Sequence, residues 1–122
     1  RLPAAEFKEY HTSLDNLELM DGLKLADTLE KLFTMIRVME VDQIYKASFV
    51  GEPCFSRHNI AYPSFKDAMT KSAAYIVKIL ASEVDGSNSL LKIARKWDLN
   101  IFHLSEVAKE FEREQLITRN QN

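Results

Sequence analysis

The apolar positions of this chain fall at helical spacing over most of its length, and most clearly in residues 14–49. From Gly22 onward, Leu25, Leu29, Leu32, Ile36 and Met39 step by four, three, four and three residues, which makes one continuous stripe. Phe33, Met35 and Val38 widen the stripe until the segment is apolar almost all round between Leu32 and Val41. Such a helix belongs inside a bundle or lends a face to a partner. Asp27, Glu30, Lys31 and Arg37 mark its wet side. A helix running through Asp21-Gly22 carries a mid-helix glycine at a cost of about 1 kcal/mol, so a break with Asp21 as cap is preferred. The expected central element is residues 22–48. Within it, Glu40 to Ser48 either continues the helix or restarts it with Asp42 as cap, docked by Ile44 and Tyr45.

Shorter helices are expected on either side. Residues 4–11 form one after Pro3, and Ser13 caps a turn through Leu14, Leu17 and Met20. Ser64, with Asp67 three residues on, opens a helix from Phe65 to Val84 that buries Phe65, Met69, Ala73, Ile76 and Leu80. Asp85-Gly86 stops it, and Ser87 or Asn88 caps the next, which turns Leu90, Ile93, Ala94 and Trp97 inward. Ser105 then caps a final helix with Val107, Ala108, Phe111 and Gln115 along its inner edge. The expected fold is therefore all-α, a compact bundle of about five to six helices around one long central helix, with an irregular loop at 51–63. A two-stranded coiled coil would want a narrower seam over more heptads.

Composition narrows this little. The 122 residues hold 46% hydrophobic and 28% charged side chains, which suits one globular domain, expected to be cut from a longer protein because the chain begins with Arg. Three Gly and three Pro leave too little turn chemistry for an all-β domain of many hairpins. No run of about 18 apolar residues, the length that would span a membrane, occurs in the chain. One Cys makes no internal disulfide, and an intracellular setting, cytoplasmic or nuclear, is expected. The net charge of −2 hides a segregation: residues 1–50 carry six basic and nine acidic side chains, residues 56–97 seven basic and three acidic.

Little of the chemistry needed for an enzyme is visible. Cys54 and His58 form C-x3-H in an irregular loop, without a third orienting group, and a half-buried or buried structural thiol is expected instead. One Cys and three scattered His are poor material for zinc. No glycine-rich phosphate loop, G-x-S-x-G elbow or H-E-x-x-H occurs. No catalytic residue, cofactor, metal or small-molecule substrate is assigned.

The functional expectation is a helical protein–protein interaction module, an adaptor or assembly domain, self-associating in one variant. A partner helix or peptide would lie in an apolar groove with a charged rim. Phe55, Arg57, His58 and Tyr62 in the 51–63 loop are the contact residues, with Lys92, Arg95 and Lys96 as the rim. The alternative is a nucleic-acid-associated domain using the basic 66–97 surface or the C-terminal third, whose rhythm is that of a helix–turn–helix or winged-helix start. Against it, the tail EFEREQ has the wrong charge to enter a groove. A small enzyme with a site near Cys54 and His58 is a second alternative. The rhythm of Leu29 to Gly51, followed by Arg57-His58 and AAYIVKIL, slightly resembles the N-terminal helical bundle of transcription elongation factor S-II. It covers less than half the chain and assigns no residue a role.

Overall fold

The computed structural model describes residues 6, 8–58, 60 and 72–120. Among them are four α-helices and three strands: α1 (Gly22–Val41), β1 (Ile44–Ala47), α2 (Ala73–Glu83), β2 (Asp85–Ser89), α3 (Leu90–Trp97), α4 (Ile101–Arg113) and β3 (Ile117–Arg119). The fold is α+β, not an all-α bundle. The chain divides into two compact units, residues 1–36 and 37–122.

In the first unit, Asn16 caps a single 3-10 turn at Leu17–Leu19, and Ser13 does not. Asp21 does start α1: its Oδ1 accepts from the amides of Leu23 and Lys24 at 3.0 and 3.2 Å. The helix ends at Val41 rather than at Ser48. None of its residues is buried, so the expectation of an enclosed central helix is overturned. Its ion pair between Lys31 and Asp27, 2.6 Å, lies between exposed groups and adds little stability.

The second unit holds the core. The strand order is β2-β1-β3, with β1 antiparallel to both neighbours. β1 alternates as a half-buried strand should, with Tyr45 buried and Lys46 exposed. Against β3 it pairs Tyr45 with Arg119 and Ala47 with Ile117. Its register against β2 shifts between Ile44 and Lys46. Strand β2 has the composition of a turn, and pairing rather than propensity holds it extended. Asp85 anchors its start by accepting from Ser87 and Asn88 amides at 2.8 and 3.1 Å. Gly86 follows at φ +88°, a conformation that L side chains rarely adopt, with Lys46 packed over it.

Helices α2, α3 and α4 pack their apolar faces together and against the sheet. Leu80, Leu90, Ile93, Leu104, Phe111 and Ile117 are fully buried, with Phe55 among them. Val38 and Val41, from the last turn of α1, lie partly buried against this core. Ser72 caps α2, so the expected start at Ser64 is not where this helix begins; residues 61–71, with Phe65 and Met69, lie outside the described residues. Ser89 caps α3 and Asn100 caps α4. Ser105, the expected cap, sits buried inside α4 and donates to the Phe102 carbonyl at 3.0 Å.

Two helices end on a left-handed residue other than glycine, and one of these ends hides a strand. At the end of α4, Gln115 adopts the left-handed conformation (φ 59°). The amides of Gln115 and Leu116 then turn back to the carbonyls of Glu112 and Phe111 at 3.0 and 2.9 Å, a Schellman motif without its glycine. Asp98 ends α3 in the same conformation, at φ 50°. With no glycine to announce the stop, the residues of β3 read as a helical tail, and Gln115 as an inner-edge residue is in fact exposed. Gln115→Gly is expected to raise stability by about 1 kcal/mol by removing the left-handed cost of a Cβ. Urea denaturation against the parent chain measures it.

Candidate functional site

The sequence points to the loop and to α3, and the structure places their residues on different elements. Phe55 opens a 3-10 turn at Phe55–His58 and is fully buried, its ring centroid 5.9 Å from that of Phe111. It serves the core rather than a surface. Arg57 is exposed, and His58 is half-buried with Nδ1 3.5 Å from Glu114 Oε2 just beyond α4. Tyr62 lies outside the described residues. Of the rim, Lys92 and Arg95 are exposed on α3. Lys96 is held by Glu83 at the end of α2 through contacts of 2.8 and 3.0 Å. Glu83 also accepts from Trp97 Nε1 at 3.0 Å, so this cluster fastens α2 to α3. Lys66 and Lys71 of the basic surface lie outside the described residues.

Cys54 is exposed, not the buried or half-buried thiol expected. Ser56 Oγ lies 3.4 Å from its Sγ, and that hydrogen bond, with the Arg57 and Ser56 amides and the Arg57 charge, lowers the thiol pKa despite slight desolvation. Among the described residues no group of three or more His, Cys, Asp or Glu could hold a metal ion. Nor is any helix there long and apolar enough to cross a membrane.

Two further polar groups are structural. Tyr45 is buried where β1 meets β3; burial and then the Glu112 charge raise its pKa, and Arg119 opposes them by charge and hydrogen bond. Glu112 grips Arg119 with both oxygens, at 2.9 and 3.1 Å, which joins α4 to β3. Asp85 carries a pKa below the ordinary value, chiefly because the Ser87 amide and hydroxyl stabilise its carboxylate. Its contribution to stability is present above the unfolded pKa near 4 and is lost as the pH falls through the lower folded value. Asp85→Asn is therefore expected to flatten the acid limb of the stability profile, read as Tm between pH 3 and 6.

The surface with the strongest physical signature is one the sequence reading placed inside. On α1, Leu25, Leu29, Leu32 and Ile36 are 52–55% exposed, Phe33 57%, Met35 62% and Met39 75%. A depression between α2 and α4, about 820 Å³, is lined by Ala73, Ile76 and Val107 together with the charged Glu106, Lys109 and Arg113. Ile76 and Val107 are nearly fully buried, so it offers much less apolar area than α1.

No protein-family model and no curated protein matches the chain. The fold is similar to a crystal structure from Clostridium acetobutylicum described as a "putative peptidase", with a TM-score of 0.73 and 25% identity over 94% of this chain. The match spans 24% of the Clostridium chain, so this chain corresponds to about a quarter of that protein.

Proposed function

We propose that the chain is a protein-interaction module whose working surface is the apolar face of α1. One observation carries this reading: five stripe residues and two flanking ones, all large and apolar, are each more than half exposed on one helix. Monomers seldom leave a contiguous apolar patch of more than a few hundred Å² in water. A partner helix or apolar groove would cover it, with Asp27, Glu30 and Lys31 left wet on the opposite side of the helix. The test uses a labelled amphipathic Leu/Lys peptide helix of three heptads. Its fluorescence anisotropy is expected to rise with the parent chain and not with Leu29→Lys/Leu32→Lys. A chain that neither binds such a helix nor associates with itself contradicts the reading.

A second reading, nucleic-acid binding, draws on the connectivity of the second unit. Helices α3 and α4 follow each other through a short turn, with α2 before them and antiparallel strands beside them, as in a winged helix–turn–helix. The exposed side of α4 speaks against it, because its cations are paired: Lys109 with Glu106 at 2.7 Å and Arg113 with Glu110 at 3.4 Å. A helix so neutralised has little to offer phosphates. Duplex DNA and RNA are expected not to bind at 50 mM salt. Steeply salt-dependent binding, abolished by Lys92→Glu/Lys96→Glu, would replace the first reading.

The enzymatic hint comes from the Clostridium protein and concerns a chain about four times longer. In our reading, a domain of this kind attached to a peptidase would hold assemblies together rather than cleave. The isolated chain is expected to leave fluorogenic casein intact, and turnover above a buffer control would overturn that assignment.

A further inference from the structure

We infer that the surface covering α1 is a second copy of this chain, α1 packing against α1 through Leu25, Leu29, Leu32, Ile36 and Met39. This rests on the interaction-module reading and names the partner. The first support is area. Covering these five side chains with Phe33 and Met35, at their present exposures, removes on the order of 800 Å² from water per copy, the per-partner area of a standard stable interface. Fully covered, a single α1 face thus reaches that area.

The second support is charge. A two-fold interface sets the same patch against itself, so a flank of one sign would repel its own copy. In the seven-residue frame of the stripe, the positions beside it on the partner side are Ala26, Thr28, Phe33, Met35 and Glu40. Only one of these is charged. Asp27, Glu30, Lys31 and Arg37 fall on the far side of the helix, where Asp27 and Lys31 already pair with each other at 2.6 Å. Arg37 in turn lies over the Phe102 ring at 4.6 Å. The stripe is thus self-compatible: apolar at its centre, nearly neutral at its edges, with most of the helix's charges on the opposite side.

Sedimentation equilibrium of the full chain, from about 1 to about 100 µM, tests this. The expected result is a reversible rise to twice the chain mass. Leu32→Lys/Ile36→Lys is expected to weaken association by more than about a hundredfold, because it buries charges at the centre of the patch. Thr34→Lys, on the far side of α1, is expected to leave association unchanged. Far-UV circular dichroism, which counts the helical residues of α1 with the rest, reports whether each variant keeps its fold. A parent chain that stays at single mass throughout overturns the inference, as does full association of the folded double variant. A chain that is monomeric yet binds the Leu/Lys peptide helix overturns self-association and leaves the interaction-module reading standing.

Discussion

Phe111→Ala is expected to lower the stability of the chain by about 3–5 kcal/mol, the largest effect of any single truncation considered. Phe111 has no exposed surface and sits where three parts of the second unit meet. Its ring packs against that of Phe55, at a centroid distance of 5.9 Å, and so ties the Phe55–His58 turn to α4. Its carbonyl accepts the Leu116 amide at 2.9 Å and sets the exit of the chain toward β3. Alanine keeps the carbonyl and removes the ring, so the loss reports packing and the residual cavity rather than the backbone. Since domains are stable by about 5–15 kcal/mol, such a loss removes a large share of the total. Urea denaturation followed by Trp97 fluorescence measures it. A change below about 1 kcal/mol would mean that Phe111 is not a core residue.

Asp42→Ala is expected to cost about 1–2 kcal/mol, a large effect for a residue just past the end of a helix. Its Oδ1 accepts the Leu91 amide at 2.8 Å, and the neighbouring Gln43 carbonyl accepts that of Leu90 at 3.0 Å. Both donors lie in the first turn of α3, 49 residues along the chain from Asp42 in the case of Leu91. The segment after α1 thus satisfies amides that no carbonyl inside α3 can reach. Alanine leaves the half-buried Leu91 amide without this acceptor. Asp42→Asn, which keeps a side-chain oxygen, is expected to lose less than half as much. Equal losses in the two variants would show that the hydrogen bond is not the cause.

The same residue shows what was legible in the sequence. Asp42 was recognisable as a helix cap, but only as the cap of a local helix; that it serves α3 follows from the sheet bringing residues 42–47 beside residues 85–90. Local signals hold in part: Ser13 and Ser105 are not the caps their residue types suggest, whereas other local features are where the spacing puts them. Asp21 starts α1, Asp85-Gly86 ends α2, and Leu90, Ile93, Val107, Ala108 and Phe111 line the core as their spacing indicated. The sheet was not legible, because β2 is DGSNS, without an apolar residue, and β3 follows a helix stop made by Gln115 rather than glycine. Strand β1, only four residues long, follows directly on a strong helical pattern that masked it.

The candidate site was legible in composition and misread in position. The stripe of α1 is as regular as the spacing promised, but periodicity reports which residues share a face, not what covers the face. None of the residues of α1 is buried, so the regular stripe is a surface feature. Phe55 shows the converse: its residue type suggested a binding contact, and burial against Phe111 gives it to the core.

Hydrogen–deuterium exchange at low and high protein concentration tests most directly whether the α1 face is an association surface. The expected result is slower exchange for the amides of residues 25–36 in the concentrated sample. Those of residues 76–80 and 104–111 should be equally protected in both. Exchange in α1 that does not change with concentration would contradict it.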